Sequence, residues 1–190
     1  MFRHKPPFEY TIIANVDSKN GMGVSNRCPW VQNSIEYNIE MSKLFHIARP
    51  YRVNAVVMGH NTFLMRGGDT IDNCINVVVS NRANWDTDMR LKLLNNYAPD
   101  IIICPTFISA LKYLEDHLHI IDRIYIIGGA SLIATAMTFP LCKQLYIYRT
   151  DGNYNCDVFL PRISPTLYEK TKSYIVSDKL SFTRYVHRAV

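Results

Sequence analysis

Short apolar runs rich in β-branched residues alternate with helix-like segments along this chain, and this alternation constrains its fold more than any other feature. The runs typical of strands are Tyr10–Val16 and residues 53–58, 75–79, 101–103, 123–127 and 144–148. Their apolar character is almost unbroken, which is typical of parallel strands that are covered on both faces. The sequence therefore predicts an α/β fold of three layers, a mostly parallel central sheet with helices on both faces.

Helix-like segments separate most of these runs. We expect helices at about residues 33–47, 61–65, 108–117 and 130–137, and Thr106 is a suitable N-cap for the third. The tail from 174 to 187 alternates as strands do, and no helical pattern precedes it after residue 148. The sheet is therefore predicted to end in an antiparallel C-terminal edge. No linker divides the chain, so residues 1–190 are expected to form one domain.

Composition argues against several classes of protein. No apolar run approaches the ~20 residues that cross a bilayer, and the first residues carry no apolar stretch typical of a secretory signal. The five cysteines lack CxxC spacing, which indicates free thiols in a cytoplasmic protein without a metal site. The net charge of +5 is spread along the chain, so no nucleic-acid partner is expected. This excess of positive charge is compatible with binding of an anionic small molecule, or it contributes to solubility alone.

The segments that follow the predicted strands are the places where a ligand is expected, because open parallel sheets bind ligands beyond the carboxyl ends of their strands. Gly128 and Gly129 join a strand to a helix that begins at Ala130 and Ser131. Glycines let the backbone approach a ligand closely, and the free N–H groups of a helix start attract phosphate. Tight turns also use glycine pairs, and the GxGxxG pattern is absent, so this signal alone is weak.

Two further segments suit phosphate groups. Gly59, at the end of the 53–58 run, leads into the helix start at residues 60–62, where backbone amides could hold a second phosphate. The segment 80–82 offers a hydroxyl, an amide and a guanidinium, and a guanidinium binds a phosphate monoester bidentately. Each segment is equally compatible with an ordinary solvated turn.

Glu36 is the candidate acid. It follows Trp30 by six residues and lies at a predicted helix start between Ile35 and Tyr37. A carboxylate in an apolar pocket has a raised pKa and can hold a heterocycle rich in hydrogen-bond donors. The alternative is an exposed glutamate that the helix dipole favours at this position.

Taken in order, these segments resemble the dihydrofolate reductase family. The strand ending at Ile13-Ala14, the loop with Gly21-Met22-Gly23, and the acid six residues after Trp30 resemble its first strand, active-site loop and substrate carboxylate. Its phosphate-binding and strand motifs are similar to MGHNTF at 58–63, NVVVS at 76–80, IGGAS at 127–131 and DVFLP at 157–161. Together the five segments cover nearly the whole chain.

The resemblance implies a monomeric reductase that moves a hydride from NADPH to dihydrofolate or a related pterin. The residues it places at the cofactor are Ala14, Met22, Gly23, Gly59, His60, Asn61, Thr62, Ser80, Asn81, Arg82, Ile127, Gly128, Gly129, Ala130, Ser131 and Leu132. Those it places at the substrate are Ile13, Asn15, Glu36, Tyr37, Glu40, Arg66 and Ile71. The segment 80–82 is expected to select NADPH over NADH through the 2′-phosphate.

The resemblance also implies the catalytic roles. Glu36 would accept hydrogen bonds from the pterin and promote protonation of its imine nitrogen, while the hydride arrives at the adjacent carbon. Trp30 would support the acid through an ordered water, and Tyr148 would take the place of a threonine that hydrogen-bonds the acid. The protein mainly positions two flat rings and excludes water.

The substrate side departs from the family pattern. Cys74 stands where an arginine usually binds the substrate's α-carboxylate, and Arg66, Arg49 or Arg52 are the cations that could replace it. Glu40 replaces an aromatic residue that stacks on the substrate, which would turn Glu40 to the pocket or bring in Met41 instead. The open alternatives are a reductase of another pterin-like or ribosylamino-pyrimidine compound, an oxidoreductase unrelated to folate, and a non-catalytic protein of the same fold.

Overall fold

The computed structural model describes residues 8–25, 27–30, 35–81 and 101–188. Ten strands and four helices lie in this part of the chain. The strands are β1 Tyr10–Val16, β2 Gly21–Gly23, β3 Val53–Gly59, β4 Cys74–Val79, β5 Ile101–Cys104, β6 Ile121–Ile126, β7 Cys142–Thr150, β8 Val158–Phe159, β9 Tyr168–Ser177 and β10 Leu180–His187. The helices are α1 Ile35–His46, α2 His60–Met65, α3 Phe107–Asp116 and α4 Ala130–Met137.

Eight of the strands form one central sheet in the order β5-β4-β3-β6-β1-β7-β10-β9. The first six in this order run parallel, whereas β10 is antiparallel to both β7 and β9. The predicted α/β fold with a mostly parallel sheet and an antiparallel C-terminal edge is therefore confirmed.

Helices cover both faces because neighbouring strand residues point to opposite sides. Met41 and Phe45 of α1 and Phe63 of α2 pack on one face, in a cluster that includes Ile13 of β1. Helices α3 and α4 pack on the other face, where Ile12 of β1 lies. These apolar side chains are almost completely buried, so burial on both faces explains the unbroken apolar strands.

The element bounds agree well with the sequence pattern where the pattern is long. Strand β1 and helix α4 have the bounds that the sequence predicts. Thr106 caps α3, since its hydroxyl accepts a hydrogen bond from the Ser109 N–H at 3.0 Å. The longest described helix is α1, with 12 residues, and none of the described helices is long and apolar enough to span a bilayer.

The predicted loop with Gly21-Met22-Gly23 contains a short strand that the sequence pattern missed. Strand β2 pairs antiparallel with β8, and Gly21 lies opposite Phe159. Strands of three and two residues are too short to show a period of two, and their partners are far apart in sequence. The pairing brings the late DVFLP segment to the loop that follows β1.

Candidate active site

Two glycine turns meet at the carboxyl edge of the sheet. The Gly59 N–H donates to the Gly128 carbonyl at 2.6 Å, and the Ile127 N–H donates to the Val57 carbonyl at 2.9 Å. Gly128 has a φ of +116°, a conformation that only glycine adopts without strain. The ends of β3 and β6 thus bring their following segments into contact, as the carboxyl-edge rule predicts.

Helix α4 begins at this junction, and no side chain caps the backbone N–H groups of its first turn. Gly129 is its N-cap and carries no side chain that could accept from the first turn. A Cβ atom on Gly128 or Gly129 would lie 3.6 or 3.5 Å from the Thr62 hydroxyl, so that hydroxyl borders the same small space. Ala130 is half-buried, Ser131 is exposed and Leu132 is buried in the core. The arrangement leaves N–H groups and a hydroxyl facing a side-chain-free surface that suits a phosphate.

The other predicted cofactor residues lie along this edge. His60 and Asn61 form the first turn of α2 beside Gly59. Ser80 follows β4, is 8% exposed, and its N–H donates to the Cys104 carbonyl at 2.9 Å. Asn81 is exposed, whereas Arg82 lies outside the described residues.

The loop after β1 is fixed by a buried carboxylate. Asp17 is 1% exposed, and its carboxylate accepts from the N–H groups of Lys19 at 2.8 Å, Gly21 at 2.7 Å and Tyr154 at 3.2 Å. Burial alone would raise the pKa of Asp17, but these backbone hydrogen bonds outweigh it and hold the pKa below its usual value. The turn of this loop is therefore tied to the segment after β7.

Arg149 provides a second tie to the same loop. Its guanidinium donates to the Asp17 carbonyl at 2.6 Å and to the Asn20 side-chain oxygen at 2.7 Å. Ala14 and Gly23 are buried and Met22 is half-buried, packed against the core cluster that includes α4. The loop thus lies beside the carboxyl ends of β1 and β7, next to the proposed cofactor edge.

Glu36 lies in the first turn of α1 and is exposed. The expected apolar surroundings of this carboxylate are therefore not present, because its side chain leaves the helix on the solvent side of the turn. Trp30 is 2% exposed, and its ring packs at a tilt against that of Tyr154 in the segment after β7, with ring centroids 4.9 Å apart. The Trp30 indole N–H and the Asn15 side-chain N–H are buried donors without a partner among the described residues.

Aromatic side chains fill the space between α1 and the sheet. Tyr37 packs edge-on against Tyr148, with ring centroids 5.5 Å apart, and Tyr148 is 2% exposed. Burial raises the pKa of Tyr148, and the charge of Glu40 adds to this effect. The carboxylate near Tyr148 is thus that of Glu40, and the predicted bond from Tyr148 to Glu36 stays a prediction.

The sequence left open whether Glu40 or Met41 faces the pocket, and the structure places the two side chains in different surroundings. The Glu40 carboxylate accepts from Lys43 at 2.8 Å and lies close enough to Tyr174 to raise the pKa of that phenol, after burial. Met41 is 7% exposed and packs in the core with Phe45. Glu40 therefore lies near Tyr148 and Tyr174 at the border of the site, and Met41 is part of the hydrophobic core.

Cys74 cannot replace a ligand-binding arginine, because its thiol points into the core. It is 7% exposed, its Sγ donates to the Phe45 carbonyl at 3.4 Å, and burial raises its pKa to about 11. Arg49 is paired with the Asp122 carboxylate and Arg52 donates to the Ile121 carbonyl, so both side chains already have partners within the fold. Arg66 is exposed. Burial raises the pKa of Tyr37, and the positive charge of nearby Arg66 offsets part of this rise.

Ile71 is fixed beside this region by a buried amide. The Asn76 side chain accepts from the Ile71 N–H and donates to the Ile71 carbonyl, both at 2.9 Å. Ile71 is 6% exposed and packs in the cluster with Ile13, Phe45 and Phe63. Asn76, in the NVVVS segment, therefore has a clear structural role that the sequence analysis did not assign.

Comparison with known proteins agrees with this arrangement. A family model described as "Dihydrofolate reductase" matches residues 9–187. The chain belongs to the dihydrofolate reductase family. The predicted membership and the predicted class of enzyme, an oxidoreductase, are thereby confirmed.

Individual relatives support the family assignment at low identity. The chain is 26% identical over 171 residues to "Dihydrofolate reductase" of Heliothis virescens, covering 88% of this chain and 84% of the relative. It is 26% identical over 163 residues to the protein of the same name from Drosophila melanogaster, covering 84% and 83%. It is 29% identical over 170 residues to that of Schizosaccharomyces pombe, covering 83% of this chain and 37% of the longer relative.

Asp17 and Arg149 are the residues of this reductase-family site that sequence reasoning missed. The signal for Asp17 was its place before the turn residues 18–21, because Asp side chains accept hydrogen bonds from N–H groups a few residues on. No local signal existed for Arg149, since its partners in the loop are 132 and 129 residues away.

We expect the Asp17→Asn variant to be less stable at neutral pH, with a difference from the parent that shrinks in acid. The folded pKa of Asp17 lies below the unfolded value of about 3.8, so its contribution is complete above that value and is lost as the pH falls through the folded pKa. The free energy of unfolding, measured with urea between about pH 7 and pH 2, tests this. Exposed Asp178→Asn is the control, and a difference for Asp17→Asn that is constant over this range would contradict the assignment.

Proposed function

We propose that this chain reduces 7,8-dihydrofolate to 5,6,7,8-tetrahydrofolate with NADPH. The observation that carries the proposal is the contact of Gly59 with Gly128 beside the uncapped start of α4, in a chain of the dihydrofolate reductase family. A surface without side chains, next to free N–H groups, suits a dinucleotide pyrophosphate. NADPH supplies the hydride when it is bound.

The residues along the carboxyl edge would hold the cofactor. Gly128, Gly129 and the first turn of α4 would face one phosphate, and the Thr62 hydroxyl borders the same space. Ser80, Asn81 and Arg82 would meet the 2′-phosphate and favour NADPH over NADH. The loop after β1, held by Asp17, would cover the nicotinamide with Ala14, Met22 and Gly23 alongside.

The substrate would lie between α1 and the carboxyl end of β1. Two buried donors without partners, the Asn15 amide and the Trp30 indole, support a polar ligand there, since buried polar groups are normally paired. Tyr37 and Ile71 would form apolar walls, and Tyr148 supports Tyr37 from beneath. Ligand rings placed in this space would exclude water from the reacting atoms.

Glu36 is the carboxylate proposed to orient the pterin. From its exposed place in the first turn of α1, six residues after buried Trp30, it would reach the mouth of this space. It would accept hydrogen bonds from the amino and ring N–H groups of the pterin. The imine nitrogen would gain a proton from water that Glu36 and Trp30 orient, as the adjacent carbon receives the hydride.

Arg66 is the cation proposed for the anionic tail of the substrate. We expect Arg66→Gln to raise KM for dihydrofolate about 2- to 5-fold with kcat preserved, because exposed charge pairs contribute up to about 1 kcal/mol. A dihydropterin without the glutamate tail should show no change in KM. Steady-state kinetics with both substrates tests this, with Arg49→Gln at the far edge of the sheet as the matched control. Equal KM values for parent and Arg66→Gln would exclude this residue.

A second candidate, reduction of a pterin that lacks the glutamate tail, is favoured by one observation. The Cys74 thiol is buried against Phe45, so the usual position offers no cation for a tail carboxylate. If this second candidate is correct, the tail-less dihydropterin has the higher kcat/KM, and Arg66→Gln leaves KM unchanged for both substrates.

The direct test of the proposed function follows the absorbance of NADPH with purified protein and dihydrofolate. We expect turnover that depends on both and that methotrexate inhibits. Turnover without methotrexate inhibition would favour an oxidoreductase unrelated to folate. NADPH binding without oxidation would favour a non-catalytic protein of this fold, and binding of neither ligand would contradict the proposal altogether.

A further inference from the structure

A polar cleft lies at the amino ends of the parallel strands, opposite the candidate active site. Its volume is about 620 Å³, and it is lined by the starts of β1, β6 and β7, the connection from α1 to β3, and β10. Strand β1 has seven residues, so a strand length of roughly 20 Å separates this cleft from the glycine turns. The cleft is therefore a separate site from the proposed cofactor edge.

Cations dominate the lining of this cleft. Two carboxylates, Glu9 and Asp122, face five basic side chains: Arg49, Arg52, Arg123, Lys143 and Arg184. The surplus of three positive charges is more than half of the net charge of the whole chain, which is +5. This concentration indicates a site for negative charge, because a concave surface lined by one sign attracts the opposite sign.

Only some of these cations are neutralised. Arg49 binds the Asp122 carboxylate through its side chain and its N–H, and Arg123 lies 3.9 Å from the same carboxylate. Neither Lys143 nor Arg184 forms an ion pair with a carboxylate of the described residues. Within the described part of the chain, the cleft therefore holds cations without a carboxylate partner.

Arg52 is held in place by carbonyl oxygens. Its guanidinium donates to Leu118 at 3.0 Å and to Ile121 at 2.7 Å. These bonds position Arg52 without cancelling its charge.

The floor of the cleft contains buried polar atoms without partners. Thr11 of β1 lies opposite Tyr125 of β6 and Gln144 of β7, so the three side chains form one row across the sheet. Arg184 lies opposite Tyr146 in the next row. The Gln144 side-chain oxygen and the Arg184 Nε are buried and make no hydrogen bond with the described residues, whereas the buried Tyr125 hydroxyl interacts with the Arg123 guanidinium.

Arg184 gives an observation that is independent of the surplus charge. Its Nε is a buried hydrogen-bond donor without a partner among the described residues. A buried donor without a partner is rare in folded proteins, and an arriving hydrogen-bond acceptor would satisfy it. Both observations point to an anion that accepts hydrogen bonds.

We propose that this cleft binds a small multivalent oxyanion of the phosphate type, such as the di- or triphosphate group of a phosphorylated metabolite. Arginines bind phosphate oxygens through two N–H groups at once, and Lys143 and Arg184 are available for this at the cleft. A volume of about 620 Å³ is that of a small-molecule site and too small for a polymer.

Calorimetric titration of the purified protein with inorganic tripolyphosphate tests this proposal, with NADPH present at saturation to fill phosphate sites at the opposite edge. We expect one site per chain, weakened at least tenfold in Lys143→Gln/Arg184→Gln. The control Lys112→Gln/Lys179→Gln removes the same charge from exposed positions outside the cleft lining and should bind as the parent does. Absence of binding by the parent, or equal losses in both double variants, would overturn the proposal.

A second ligand tests the chemistry of the site. Citrate, a multivalent carboxylate, should bind more weakly than tripolyphosphate, and equal binding would overturn the assignment to phosphate.

Discussion

Replacing Glu36 by Gln is expected to lower kcat for dihydrofolate about 100-fold or more while NADPH binding stays the same. Gln has the shape of Glu but cannot carry the charge that accepts two hydrogen bonds from the pterin. A positioned acid or base contributes about 10²- to 10⁴-fold to a rate. Steady-state kinetics gives kcat, and quenching of protein fluorescence by NADPH gives the cofactor dissociation constant.

Two other glutamates provide the comparison for this variant. Glu169→Gln, in an exposed pair with Arg188, is the neutral control. Glu40→Gln tests the competing acid, because Glu40 lies nearer to Tyr148 but is bound by Lys43. A larger loss of kcat in Glu40→Gln than in Glu36→Gln would assign the acid to Glu40, and full activity of Glu36→Gln would contradict the mechanism.

Replacing Gly128 by Ala is expected to destabilise the fold by about 1–3 kcal/mol and to weaken NADPH binding at least tenfold. The φ of +116° at Gly128 is strained for any residue with a Cβ, and such strain costs about 1–3 kcal/mol. The added Cβ would also lie 3.6 Å from the Thr62 hydroxyl, in the space proposed for phosphate. Urea unfolding and NADPH titration measure the two effects.

Gly129→Ala is the matched control for this effect. Gly129 has a φ of −74°, which alanine adopts freely, and its Cβ would meet the Thr62 hydroxyl at 3.5 Å, an ordinary contact. We expect nearly parental stability for Gly129→Ala together with weaker NADPH binding, because the Cβ enters the same space. Equal stability of the two variants would contradict the backbone argument, and parental NADPH binding by both would contradict the cofactor site.

The sequence predicted the parts of this fold that have a long local signal. Unbroken apolar runs identified β1, β3 and β4, because strands buried on both faces cannot carry polar residues at every second position. The start of α4 after Gly129 was predictable from the glycine pair. The carboxyl-edge rule then placed Gly59 and Gly128 at the same edge of the sheet, where the structure shows them in contact.

The substrate side was harder to predict because it depends on side-chain direction. The pattern placed Glu36 on a helix start but could not decide between a pocket and water, and the structure shows the exposed alternative. The direction of the Cys74 thiol toward the Phe45 carbonyl follows from the strand register, which no single sequence motif determines.

Sites assembled from distant segments gave no sequence signal at all. The basic cleft draws its cations from residues 49, 52, 123, 143 and 184, so no local cluster of charge reveals it. The link between Asp17 and Tyr154 spans 137 residues in the same way. Long-range pairing across the sheet, rather than local propensity, creates both features.

The transfer of hydrogen from cofactor to substrate tests the account most directly. NADPH that carries deuterium at the transferable position of the nicotinamide is incubated with dihydrofolate and the purified protein, and the product is examined by mass spectrometry. The account predicts tetrahydrofolate that carries one deuterium on carbon. Tetrahydrofolate without the label, or no tetrahydrofolate at all from protein that binds both ligands, would contradict it.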